Sequence, residues 1–325
     1  MARADILISM IQSASRGDMG SFRKAVESLI AEERGKKHNI LAERLALSLN
    51  NGVNKNTAIR PDGEARDLIF EINPQKRFED LILNEETLKL CEELVAEQHR
   101  VDLLRSFGLE PRSKILLAGP PGNGKTSLAE ALAAHLMYPI LIVRYENIIG
   151  RYLGETASRL QKIFNYVKTR NCVLFFDEFD TIGKERGDTK ETGEIKRVVS
   201  SLLLQMDSLP SYVVVITASN HPELLDRAVW RRFQLRIELK PPKINQIECF
   251  IKLFIKKTGF NFNYSLKSLS QKLSGYSFSE VEEFCTDVVR QAVLTNSQDN
   301  ARNIVTLKLK QWKSKFGKSN IKERE

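Results

Sequence analysis

Five short, almost uninterrupted apolar runs mark the middle of the chain: "KILLAG" at 114–119, "PILIVRY" at 139–145, "CVLFFDE" at 172–178, "YVVVITAS" at 212–219 and "LRIEL" at 235–239. Stretches with helical spacing separate them, such as "SLAEALAAHL" at 127–136. Short, largely apolar runs that alternate with helical stretches predict strands of a parallel sheet buried on both faces, with crossover helices between them. A further helix is expected from Asn84, a good N-cap, through "LKLCEELVAEQHRVDLLRSF". Beyond Pro241 and Pro242 the strand signal stops. "INQIECFIKLFIKK" and "FSEVEEFCTDVVRQAVL" read as helices, the second with Val281, Phe284, Cys285, Val288 and Ala292 on one face.

Ahead of the strands, residues 4–49 carry helical apolar positions at Ile6, Met10, Phe22, Val26, Leu29, Ile30, Leu41 and Leu45, interrupted by "SRGDMGS" and "GKKHN". Three short helices are expected there. "NNGVNKNTAIRPDGEAR", at 50–66, is polar and aperiodic and reads as linker. The expected organisation is a helical docking or assembly module at 1–49, a linker at 50–75, an α/β domain with a doubly wound parallel sheet at 76–240, and a small helical domain at 241–325.

The totals fit that outline. Of 325 residues, 42% are hydrophobic and 28% charged, a globular balance that excludes a disordered chain. No apolar run approaches the roughly 20 residues of a membrane span, and the start lacks the apolar core of a signal peptide. Cys91, Cys172, Cys249 and Cys285 are scattered, which predicts neither a zinc site nor a disulfide framework and suits a reducing cytoplasm. His38, His99, His135 and His221 are equally dispersed and read as structural or surface residues. The net charge of +9 leaves nucleic acid open as a partner, although part of it lies in "LKLKQWKSKFGKSNIKERE", which reads as a solvated basic helix end.

The clearest chemistry is "GPPGNGKT", which satisfies G-x-x-x-x-G-K-[ST] between an apolar run and a helix. Gly119, Gly122 and Gly124 let backbone N–H groups turn around phosphate oxygens, with Pro120, Pro121 and Asn123 completing the loop and Ser127 continuing into the helix N-terminus. Lys125 supplies a point charge for the β- and γ-phosphates, and Thr126 a hydroxyl for Mg²⁺. The second half of the site is the Asp177–Glu178 pair closing "CVLFFDE". Asp177 is expected to hold Mg²⁺ through its water shell, and Glu178 to orient and deprotonate the attacking water. Together they predict ATP hydrolysis with ATP and Mg²⁺ bound.

From about residue 76 to 295 the chain resembles the catalytic module of the AAA ATPases, within the AAA+ superfamily. "RFEDLILNEETLKL" is similar to that module's first segment, which implies that the backbone of Asp80 to Ile82 lies against adenine. "ITASN" resembles the sensor-1 strand and implies that Asn220 senses the γ-phosphate. "LDRAVWRRFQLRIEL" resembles the arginine-finger region, so Arg231 and Arg232 are expected at a neighbour's ATP, in a ring of six copies. The spacing of "AVWRRF" is similar to that of the katanin, spastin and ESCRT-disassembly group, which implies a stand-alone single ring. "LSGYSFSEVEEF" resembles the lid motif Gly-Tyr-Ser-Gly-Ala-Asp, but Phe278, Ser279 and Glu280 depart from it and place a bulky ring near the base pocket.

"GRYLGE", at 150–155, matches the family's pore loop, which implies that Tyr152, Leu153 and Gly154 face a central pore and grip a polypeptide. "GKERGDTKETGEIKR" resembles a second pore loop with Lys184, Arg186, Lys190 and Glu191, although a solvated loop explains its composition equally well. The expected function is therefore an ATP-driven protein remodeller or unfoldase whose N-terminal helices dock a substrate or a partner, such as a protease. Two alternatives stay open: a nucleic-acid motor or loader, and a non-threading ATP switch that controls a partner.

Overall fold

A computed structural model of the chain describes residues 10, 13, 19–35, 68–143, 153–180, 201–225, 227–295 and 301–316. The chain divides into two compact units, Met1–Pro61 and Asp62–Glu325. In the first, α1 (Met19–Gly35) buries Val26 and Ile30, with Met10 and Phe22 packed against them. The helix ends at Gly35, where "GKKHN" begins. The other expected helices of this segment lie outside the described residues.

The second unit is built on a six-stranded sheet of order β1-β3-β4-β5-β2-β6. The five apolar runs form β2 (Lys114–Ala118), β3 (Ile140–Val143), β4 (Cys172–Phe176), β5 (Val213–Ser219) and β6 (Leu235–Glu238), all parallel to their neighbours among these five. One expectation is corrected. β1 (Ile69–Ile72), inside the segment read as linker, pairs antiparallel with β3. Leu68 and Ile69 are buried while Phe70 and Glu71 stay exposed, so this edge strand needs only a short apolar signal. The unit boundary falls at Pro61, inside the segment expected as linker.

Alternate residues of each strand face opposite sides, and the sheet is doubly wound. Leu116, Leu141, Leu174, Phe176, Val213 and Val215 pack with Leu160, Ile163, Phe164 and Val167 of α5 (Leu153–Val167) and with Leu202, Leu203 and Met206. Ile115, Leu117, Val173, Phe175, Val214 and Ile216 pack on the other side, against α4 (Lys125–Leu136) and α2 (Glu85–His99). The short α3 (Val101–Ser106) follows α2. Asn84 caps α2 as its sequence predicts, accepting the N–H of Thr87 at 2.7 Å. Because β4, β5 and β2 are adjacent and parallel, their C-terminal ends share one edge, the usual place for a ligand in such a sheet.

After the four-residue α6 (Arg227–Trp230) and β6, the described residues form four helices: α7 (Ile244–Thr258), α8 (Leu266–Lys272), α9 (Phe278–Leu294) and α10 (Ala301–Phe316). Val281, Phe284, Cys285, Val288 and Ala292 are fully buried along α9. The basic C-terminal run is more than a solvated end: α10 inserts Val305, Leu309 and Trp312 into this core, and Trp312 meets Phe284 edge-on at 5.7 Å. Truncating such an aromatic to Ala costs about 3–5 kcal/mol. Among the described residues, no helix is long and apolar enough to cross a membrane.

Candidate nucleotide site

The loop from Gly119 to Gly124 joins β2 to α4 and turns with left-handed backbone at Gly119, Gly122 and Gly124. At Gly119 the backbone N–H donates to the carbonyl of Ser219 at 3.2 Å, and an added Cβ would run into the carbonyl of Leu239. Only glycine lets β2, β5 and the end of β6 close around this point. Pro120 and Pro121 are exposed on the outer turn, and Asn123 is buried beneath it. Lys125 opens α4 and folds back inside the loop, where Nζ donates to the carbonyls of Gly119 (2.6 Å) and Pro120 (2.9 Å). Burial holds the Lys125 pKa below its ordinary value, and the carboxylates of Asp177 and Asp180 oppose that shift. A desolvated ammonium whose hydrogen-bond partners among the described residues are carbonyls suits the arrival of phosphate oxygens, which are stronger acceptors.

Asp177 and Glu178 follow β4 at the same edge. The hydroxyl of Thr126 donates to Asp177 Oδ2 at 3.0 Å, so a hydroxyl and a carboxylate from different elements are already together. One carboxylate and one hydroxyl fit Mg²⁺, which keeps several waters and takes further oxygens from phosphates. Glu178 is exposed and has φ +47, a left-handed conformation that costs a non-glycine residue roughly 1–2 kcal/mol. Its N–H donates to Asp177 Oδ1 at 2.9 Å. The next residue stabilises the turn, because Phe179 donates its N–H to Ala218 at 2.8 Å and is buried against Phe176 and Phe233.

Asp180 escaped the sequence reading. It is buried, with 1% exposure, and accepts the Ser219 hydroxyl at 3.2 Å and the Asn220 N–H at 3.1 Å. It thereby ties the turn carrying Glu178 to the end of β5 carrying Asn220. The signal available was an Asp three residues after Asp177. Lys76 also escaped it: its amine donates to the Ser127 hydroxyl at 2.9 Å and pairs with Glu130 at 3.4 Å. This clasp fixes the start of the segment expected at the adenine, where Phe78 stacks on His135 of α4 at 3.9 Å.

The start of α9 and the loop meet directly. Ser279, at the start of α9, donates its N–H (3.0 Å) and its hydroxyl (3.2 Å) to the carbonyl of Gly122. Ser277 caps α9 and forms a reciprocal pair with Glu280. Phe278, expected near the base pocket, packs its ring on Phe250 of α7 at 5.4 Å.

The arginine pair lies elsewhere. Gln234 donates its N–H to the carbonyl of Lys114 at 3.0 Å, so the preceding Arg231 and Arg232 sit beside the first residue of β2, whereas the phosphate loop follows its last. Four strand steps separate the two ends, about 13 Å. Arg232 is engaged with Asp207 and with the carbonyl of Leu203 (3.2 Å). Arg231 is exposed and makes no hydrogen bond or ion pair among the described residues. Tyr152 lies outside the described residues, as does the second expected pore loop; Leu153 and Gly154 begin α5.

The model of the family described as "ATPase family associated with various cellular activities (AAA)" matches residues 115–241. The chain is 36% identical over 302 residues to the uncharacterized AAA family ATPase y4kL of Sinorhizobium fredii, covering 90% of each chain. It is 30% identical to a putative 26S proteasome regulatory subunit homolog of Methanothermobacter marburgensis, over 71% of this chain and 62% of that one. It is 32% identical to the peroxisomal ATPase pex6 of Schizosaccharomyces pombe, over 71% of this chain and 25% of that one. The chain thus spans nearly all of the rhizobial relative, under two thirds of the archaeal one and a quarter of the yeast one. With a complete phosphate loop, an Asp–Glu pair at the same sheet edge and relatives named as ATPases, the chain is an ATPase of the AAA family.

Proposed function

We propose that the protein works as a ring, of six copies, that couples ATP hydrolysis to the remodelling or unfolding of polypeptides. The observation that carries the ring is the position of Arg231, exposed at the opposite end of β2 from its own phosphate loop. A cation there is suited to a neighbour's γ-phosphate, where an arginine finger is worth on the order of 10³–10⁵ in rate. The proteasomal and peroxisomal names of two relatives support a protein substrate.

In this reading the loop from Gly119 to Ser127 cradles the phosphates and Lys125 leaves its carbonyl partners for them. Thr126 and Asp177 would hold Mg²⁺, which supplies positive charge to the phosphates. Glu178 orients and deprotonates the attacking water, while Asn220 responds to the γ-phosphate. Residues 76–240 form the catalytic domain, and 241–325 the lid with its basic C-terminal segment. Residues 1–49 act as a docking module for substrate or for a partner such as a protease. Tyr152, Leu153 and Gly154 grip the polypeptide in the pore. Four free thiols suit a cytoplasmic setting.

The test is ATP turnover across protein concentration, with and without unfolded casein. Specific activity should rise with concentration as rings form, and casein should stimulate it. Tyr152→Ala should remove the stimulation while keeping most basal turnover. Stimulation by DNA in place of casein would favour a nucleic-acid motor, and full casein stimulation of Tyr152→Ala would exclude threading.

A further inference from the structure

Asp207, at the end of helical residues 201–207, binds two cations through its two oxygens. Lys114 Nζ donates to Oδ1 at 2.9 Å, and Arg232 pairs with Oδ2. The same Arg232 nitrogen donates to the carbonyl of Leu203 at 3.2 Å, just before the last turn of that helix, near the end where the helix dipole also favours a cation. The backbone N–H of Arg232 donates to Val229 at 3.1 Å, and the following Phe233 is 2% exposed in the core, with its ring edge-on to Phe179. Arg232 is therefore fastened through main chain, side chain and the next residue. Arg231, one residue earlier, is exposed.

We propose that the two adjacent arginines have different roles: Arg231 alone reaches the neighbouring subunit's γ-phosphate, and Arg232, clamped by Asp207 beside Lys114, is the positioning residue that holds it there. This rests on the ring reading above and deepens it. The chemistry favours the split. Moving Arg232 to a phosphate would break its ion pair with Asp207 and leave the Leu203 carbonyl without its guanidinium donor. Arg231 has no such bonds to break among the described residues. A rigid mount also suits a finger, because a displacement of about 1 Å can cost on the order of 10²-fold in rate. Lys114 extends the mount to the first residue of β2, so the sheet that ends in one subunit's phosphate loop begins at the anchor of the arginine offered to the next.

The test uses full-length variants assayed for ATP turnover, affinity for a fluorescent ATP analogue and thermal unfolding. Arg231→Ala should lower turnover on the order of 10³-fold or more with unfolding and affinity unchanged. Arg232→Ala and Asp207→Ala should each lower turnover by about 10²-fold, and the double variant by no more than either alone. Arg232→Lys should recover part of the loss, because an ammonium can still pair with Asp207. Wild-type or raised turnover in Asp207→Ala, together with loss of turnover in Arg232→Ala at unchanged melting temperature, would make Arg232 a direct finger and overturn the division of roles.

Mixing with Glu178→Gln subunits separates this proposal from the reading beneath it. Those subunits keep their arginines but lack the expected base. Arg231→Ala subunits should recover part of the turnover when mixed with them, since an intact pocket beside a Glu178→Gln neighbour then meets an intact Arg231. No recovery at any ratio would overturn the shared pocket and the division of roles with it.

Discussion

The carboxylate of Asp180 accepts the backbone N–H of Asn220 at 3.1 Å, and in the same place the hydroxyl of Ser219 at 3.2 Å. The turn after β4 and the end of β5 are thus held in one register, with Glu178 on one and Asn220 on the other. Asp180→Ala leaves the buried Ser219 hydroxyl and the part-buried Asn220 N–H without this acceptor, at a cost of up to about 1–3 kcal/mol each. The melting temperature should fall by roughly 4–20 °C for a unit of this size. Turnover should fall with it, and Asp180→Asn, which keeps one acceptor oxygen, should lie between. Equal melting of the Ala variant and wild type would show that Asp180 does not hold the two strands together.

Gly119 and Gly122 differ in what a methyl group would strike. At Gly119 it meets the main-chain carbonyl of Leu239, which is itself pinned by the Leu239 N–H to Ala118 bond at 2.8 Å. At Gly122 it meets the Ser277 hydroxyl at 2.7 Å and the Ser277 Cβ at 3.1 Å, side-chain atoms that can yield more readily than main chain, at the expense of the cap on α9. Gly119→Ala should therefore destabilise by about 3 kcal/mol or more, combining strain with overpacking, and Gly122→Ala by about 1–2 kcal/mol. Thermal unfolding with and without ATP measures both. The order of the two variants is the decisive outcome.

Lys125 carries a pH signature. Its folded pKa is lowered by burial, against the pull of Asp177 and Asp180, so between that value and the ordinary lysine value of 10.5 the unfolded chain binds more protons than the folded one. Stability attributable to this group consequently increases as pH rises through the window, and the cost of burying the cation is greatest at neutral pH. The stability of Lys125→Met relative to wild type should fall as pH is raised from 7 towards 10.5, read as the difference in melting temperature. A rise with pH in the stability of Lys125→Met relative to wild type would contradict the sign. ATP binding should be lost in the variant throughout.

Thiol chemistry should single out one cysteine. Burial pushes the thiols of Cys91, Cys172 and Cys285 up to about 12, with smaller contributions from nearby charges, whereas Cys249 is exposed on α7. The thiolate is the nucleophile, so at mildly alkaline pH a water-soluble disulfide reagent should modify Cys249 quickly and the other three only on unfolding. Cys249→Ser should remove the fast phase. Two or more fast thiols in the native protein would mean that one of these cores opens readily.

By itself, the sequence determined the phosphate loop, the Asp177–Glu178 pair, the five parallel strands and the buried face of α9. Each is a pattern within one contiguous segment, where side-chain type and backbone period act locally. Three features required the tertiary structure: the anchoring of Asn220 by Asp180, the engagement of Arg232 by Asp207, and the contact of Ser279 with Gly122, whose partners lie 40, 25 and 157 positions apart. β1 belongs with these, since its few apolar residues become a strand only against the edge of β3. Two adjacent arginines look identical in a sequence; the carboxylate that meets one and leaves the other exposed comes from a helix before β5, and chain folding alone brings it there.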